Sequence, residues 1–432
     1  MKSLQTLLQI CTEPLRGALR APQREEDACD VAPLPPLTRR PRPPVPQAPV
    51  DTLRIACPDP TAEDALRDSH LSRAQFLARQ ERWDDLSGLI RKADRNRDMT
   101  PGAMPVAELL AYGARADVIS AAEHALITGY PAKDAPLLAG IEALEHVLAD
   151  HQNDHVIAAI VAQSHMDIGW AWRGNGWDTE VPDHNREVFI AHFDRARDIL
   201  ADFCCIDHQS PLLAATCCAL LGSLELQDRT VADRYEALID LNPHNPRPMR
   251  ALGSHMLPRW YGTYEELELE ARRTAARTER VWGAGGYTWV QFDAIACDEM
   301  ACAQLDVEYF IDGLHDILER CPDPYTTNLL AAFCANAIGQ SYSGNDETDH
   351  NRAQIADCAG WIVREHLTEL HPMVWAHAAH GFDNNLRVYS PARFAASGRE
   401  DAIRIITSLL SHEIAAGTQV VFVDTSQIAQ AG

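Results

Sequence analysis

Aromatic residues make up only 7% of the 432-residue chain, no two cysteines stand in a C-x-x-C pair, and no run of eighteen apolar residues occurs. Each shortage excludes something. Few rings, with an apolar complement weighted towards Ala and Leu, disfavour sheets and predict an all-α protein. Without C-x-x-C spacing the usual zinc and redox motifs are absent, so the adjacent pairs Cys204/Cys205 and Cys217/Cys218 read as small buried side chains in a reducing compartment. Without a long apolar run or an export signal in M-K-S-L-Q-T-L-L-Q-I-C, a soluble, cytoplasmic protein with no membrane insertion is expected. Basic residues are also scarce, 38 against 62 acidic, for a net charge of −24. A surface of that sign repels nucleic acid and anionic lipid, and points instead to a protein or peptide partner, preferably a basic one.

The charge is unevenly spread. The first fifty residues carry +2, which leaves about −26 on the rest. Residues 1–20 have leucines spaced for a short amphipathic segment, and residues 21–55 form a proline-rich linker, with eight prolines between 33 and 49. Residues 56–417 read as a helical-repeat body, followed by an extended tail, 418–432, in which T-Q-V-V-F-V-D is a strand candidate. Helix starts are marked at Ser210-Pro211, Asp323-Pro324 and Asp134 with Pro136, where a side-chain acceptor precedes proline.

The stretch L-P-R-W-Y-G-T-Y-E-E, Leu257 to Glu266, ends one helix and starts another. Pro258 cannot continue a helix, Gly262 allows a sharp reversal, and Thr263 with Glu266 has capping-box spacing. Tyr264, Leu267, Ala271 and Ala275 then line one face, while Glu268 and Arg272 pair on the wet side. E-R-W-D-D-L, Glu81 to Leu86, repeats the aromatic-acid-acid-Leu order, with Trp83 and Leu86 in the places of Tyr264 and Leu267. Pro211 and Pro243 are 32 residues apart, near the tetratricopeptide period.

On these residues the chain resembles the tetratricopeptide-like α-solenoids. Leu257–Glu266 is also similar to the L-P-x-W-G-G-S/T-x-E-x segment of an uncharacterised bacterial helical-repeat family. The close match covers residues 236–290, and looser helix pairs run from 61 to 415. Tyr261 replaces a frequent Gly of that family, and Leu267 stands where tetratricopeptide repeats usually have Ala. The resemblance implies antiparallel helix pairs stacked as an irregular solenoid and points to no known enzyme activity; no cofactor is expected.

Four other strings carry candidate chemistry. G-W-A-W-R-G-N-G-W concentrates Trp170, Trp172, Arg173 and Trp177, residue types that dominate binding energy where exposed and wedge helices apart where buried. H-A-A-H-G-F-D offers His377, His380 and Asp383 to a metal-dependent hydrolase, with His366 and His371 upstream. H-Q-N-D-H, His151 to His155, has two histidines a turn apart but Asp154 where the inverted zincin motif has Glu. W-G-A-G-G-Y-T-W, Trp282 to Trp289, has glycines but neither dinucleotide nor Walker spacing, and reads as a loop between repeats. A non-enzymatic protein- or peptide-binding scaffold is the function expected. The alternatives are the hydrolase and a regulatory subunit anchored by its N-terminal segment.

Overall fold

The computed structural model describes residues 53–126, 137–174, 180–223, 230–339, 343–380 and 390–422. The segment 1–52, with the amphipathic stretch and most of the linker, lies outside the described residues, as do Asp134, Pro136, Trp177 and Asp383. Among the described residues the protein is all-α, with two strands of only two residues each. Among the described residues its contacts divide it into two compact units, one within residues 67–99 and 104–223 and the other within residues 53–66, 100–103 and 230–422.

The first unit is built from α1 (Ala62–Arg79, its first residues belonging to the second unit), α2 (Trp83–Asn96), α3 (Val106–Ala125), α4 (Ala139–Asp150), α5 (His155–Arg173), α6 (Asp183–Leu200), α7 (Cys205–His208) and α8 (Pro211–Ala219). Its centre is α5. The run V-I-A-A-I-V-A, Val156 to Ala162, is buried on every side, as expected of a helix that is apolar all round. It is enclosed by α2, α3, α4, α6 and α8. Asp154 starts α5 by accepting from the Val156 and Ile157 N–H groups, and its other oxygen takes Ser87 Oγ at 2.5 Å and Arg91 Nη2 at 2.8 Å.

The second unit contains α9 (Thr230–Leu241), α10 (Arg247–His255), α11 (Tyr264–Trp282), α12 (Gly285–Cys297), α13 (Glu299–Ala303), α14 (Val307–Arg320), α15 (Pro324–Ala332), α16 (Asp346–Glu365), α17 (Pro372–His380), α18 (Pro391–Leu409) and α19 (Ser411–Ala415). A π-helical turn, Phe333–Ile338, continues α15. Here α12 plays the central part, with Gly285 to Phe292 all buried against α10, α11, α13 and α14.

The stretch 258–263 is a turn between α10 and α11, and Thr263 Oγ1 accepts from Glu266 N at 3.2 Å. Gly262 is needed for close approach, because a Cβ there would stand 2.5 Å from the Met256 carbonyl oxygen. Trp83 and Tyr264 both open their helices, and Leu86 and Leu267 are both buried. The caps at Ser210 and Asp323 form, to Leu213 N and Thr326 N.

Three details differ from the sequence expectations. Trp282 to Trp289 is mostly helix: only Gly283 and Ala284 separate α11 from α12, and Ala284 N donates to Asp316 Oδ2 at 2.6 Å, so a side chain of the protein takes the N–H that an anion would need. Glu268 is not simply on the wet side, since besides Arg272 at 2.6 Å it accepts from Tyr287 Oη and Gln291 Nε2. The C-terminal strand β2 (Val420–Val421) finds its partner in β1 (Leu53–Arg54), residues assigned by composition to the linker. The two pair in parallel, Leu53 with Val420 and Arg54 with Val421.

Candidate functional site

The tryptophan-rich string falls at the end of α5, where its members separate. Trp170 is 43% exposed and Trp172 2%. Helical geometry requires this, because residues two apart point about 200° apart around the axis. Trp172 is thus a core residue, its ring edge-on to His184 at 5.5 Å, and Trp177 lies outside the described residues. Arg173 stays with Trp170, its guanidinium carbon 5.6 Å from the ring centre.

The exposed ring rests on a firm base. Trp170 meets Phe189 at 4.9 Å and Phe193 at 5.9 Å, both edge-on, and those two rings of α6 touch each other at 4.5 Å. Below them α5 and α6 are joined by a buried polar chain. Glu145 of α4 accepts from Arg195 Nε and Nη2, each at 2.7 Å, and is bonded to His165 Nε2 at 2.9 Å. His165 Nδ1 in turn lies 2.9 Å from His192 Nδ1. Burial alone would raise the Glu145 carboxyl, but the hydrogen bonds from Arg195 and His165 hold it down at about 2. Burial lowers His165 against the opposing pull of Glu145, and it drives His192 well below the ordinary histidine range. Both rings are therefore neutral at physiological pH. With the carboxylate fixing His165 Nε2 as a donor, Nδ1 must accept from His192, and His192 Nε2 is left as a buried acceptor without a partner.

A second aromatic–arginine pair stands on the neighbouring helix. Tyr112 of α3 is 44% exposed, and the guanidinium carbon of Arg115 lies 5.1 Å from its ring centre. Arg115 Nε also donates to Asp167 Oδ2 at 2.8 Å, and Asp167 is one turn before Trp170 on α5. The result is a patch of two exposed rings, each carrying a guanidinium, linked by a carboxylate. Sequence reasoning located Trp170 and Arg173 but missed Tyr112, Arg115 and Asp167. The i, i+3 spacing of Tyr112 and Arg115 was a usable signal, whereas the pairing of α3 with α5 left none.

The histidines of the other strings make contacts of their own, and Asp383, the third member of the His377–His380 set, lies outside the described residues. His151 contacts the Val147 carbonyl through Nδ1, and His155 stacks on His208 at 4.4 Å, its pKa lowered to about 4 by burial and by the neighbouring ring. His377 and His380 both lie against Phe394, at 4.9 and 5.8 Å. His371 is bonded to Glu369 at 2.9 Å, and His366 is edge-on to Trp361. Among the described residues no three His, Cys, Asp or Glu side chains are grouped to hold a metal ion.

No family model matches the chain, and no curated protein and no solved structure matches it either.

Proposed function

We propose that the chain is a cytoplasmic, non-enzymatic scaffold that binds another protein or a peptide through the Tyr112–Arg115–Asp167–Trp170–Arg173 patch, without a cofactor. In this reading the helices of each unit stack as antiparallel pairs in the irregular tetratricopeptide-like manner that residues 236–290 resemble, and the acidic surface favours a basic client over nucleic acid. One observation carries the proposal: Trp170 is held half in water by a buried aromatic and ionic base. An exposed ring with a fixed orientation gives up little entropy on binding, and Trp, Tyr and Arg are the residue types on which interface energy concentrates.

The test begins with capture of a client by the full chain and continues with dissociation rates for variants. Trp170→Ala should speed dissociation by about 30-fold, corresponding to a hot spot of ~2 kcal/mol, and Arg173→Ala should speed it by about 3-fold. Trp172→Ala should instead lower the melting temperature and leave the off-rate of the folded fraction alone. An off-rate indifferent to Trp170→Ala removes the patch from the function.

A further inference from the structure

Trp260, in the turn between α10 and α11, is 56% exposed, more than Trp170, and belongs to the other unit. Its ring is nonetheless held. It lies 6.4 Å from Tyr261 and 6.3 Å from His255, whose own ring is 5.7 Å from Tyr261 and edge-on to both. His255 Nδ1 is bonded in turn to Tyr235 Oη of α9 at 2.9 Å, and Tyr235 is a core residue, 5% exposed. Burial lowers the His255 pKa, so this imidazole puts no positive charge beside the indole at physiological pH.

The turn is pinned on both flanks to the junction of α12 and α13. Arg259 Nη2 donates to Cys297 Sγ at 3.0 Å, and Tyr264 Oη donates to the Asp298 carboxylate, 3.2 and 3.4 Å from its two oxygens. These bonds have two effects. They draw the guanidinium next to Trp260 in sequence towards a thiol, so that no Arg or Lys among the described residues lies over the indole, whereas Trp170 and Tyr112 already carry Arg173 and Arg115. They also tie the start of α11, with exposed Glu265 and Glu266 in its first turn, to the start of α13, with Asp298 and exposed Glu299. The turn that carries the ring thus leads into one acidic helix start and is bonded to another.

We propose that Trp260 receives an arginine side chain of a basic partner segment, the guanidinium stacking on the open indole face while the carboxylates of the two helix starts attract its charge. Trp is the ring that binds cations best, and a planar guanidinium stacks on it as an ammonium cannot. The site lies in the second unit and does not depend on the Trp170 patch of the first.

The experiment is a titration of the full chain, labelled with 15N-tryptophan, with blocked Gly-X-Gly-X-Gly peptides in which X is arginine, lysine or leucine. The Trp260 indole N–H resonance, identified as the one missing from Trp260→Phe, should shift saturably with the arginine peptide, about threefold less tightly with lysine, and not with leucine. Saturation transfer to the arginine side-chain protons should show Trp260→Ala binding that peptide about fivefold more weakly, and Glu265→Gln about twofold, which tests the charge without touching the ring. The proposal is overturned by a Trp260 resonance that the arginine peptide leaves still, by equal binding of the lysine or leucine peptide, by Trp260→Ala keeping the affinity, or by a resonance that moves with protein concentration alone, which would give the ring to a second copy of the chain. A shift confined to Trp170 overturns it as well and leaves the scaffold function in place. The Trp170→Ala off-rate bears on that function and not on this site.

Discussion

Glu145 accepts three hydrogen bonds, two from Arg195 and one from His165, and each donor would be left facing the interior without it. Breaking a buried charge network by removing one member is far more damaging than never having built it. Glu145→Gln should therefore destabilise the protein by roughly 3 kcal/mol, read as a lowered urea midpoint of the full chain. The same residues make stability fall with acid. His165, His192 and His155 have folded-state pKa values below the ordinary 6.5, so beneath that pH the unfolded chain takes up protons that the folded rings refuse. Glu145 acts in the same direction in a lower window, its stabilisation present above 4.5 and lost as pH falls towards about 2. Urea midpoints should be level above pH 7 and decline steadily from pH 6.5 to 4. A level profile through pH 5 would contradict the buried neutral histidines. None of this was legible in the sequence, where Glu145, His165 and His192 are separated by 20 and 27 residues and belong to no motif.

Thr263 and Gly253 represent two kinds of element-level constraint. The cap at Thr263 involves one hydroxyl and one N–H three residues on, so it was readable from the local string, as were the caps at Ser210 and Asp323. Removing it in Thr263→Ala should cost about 1 kcal/mol. Gly253, inside α10, has no local justification, since glycine weakens a helix. Its reason is tertiary: a Cβ there would fall on the Val290 carbonyl oxygen of α12. Gly253→Ala should force the two helices apart and cost about 2–3 kcal/mol, although alanine is the better helix former. Calorimetric melts of both variants check this, and an alanine at 253 that proves neutral would mean the crossing is looser than described. Side-chain bonds between distant helices, such as Ser210 Oγ to Asp94 Oδ2 at 2.5 Å, escaped the sequence for the same reason. The aromatic-acid-acid-Leu pattern marked helix starts correctly because it is local, while the glycines of Trp282 to Trp289 suggested a loop longer than the two residues that form one.

For the molecule as a whole, the proposed scaffold role assigns net −24 and the patch around Trp170 to different stages of binding. Charges spread over a surface steer encounter and are screened beyond about 10 Å at 0.1 M salt, whereas a seated ring governs departure. Raising salt should consequently slow association with a basic client more than it speeds dissociation, which stopped-flow and surface-capture kinetics can separate. Equal effects on both rates would mean that ion pairs, not the aromatic patch, hold the complex. Composition made the class and the charge legible, because both are sums over the chain; it left open which of two neighbouring tryptophans faces water. The short ladder between Leu53–Arg54 and Val420–Val421 adds a mechanical property. The paired strands run parallel, so tension applied before residue 53 and after residue 421 draws them past each other along their length. The hydrogen bonds between them, including Phe422 N to Arg54 O at 2.9 Å, are then loaded together in shear and cannot be unzipped one by one. A molecule held by handles outside these two points transmits force to its helices only after that latch slips, and the first event of its extension trace should be the latch.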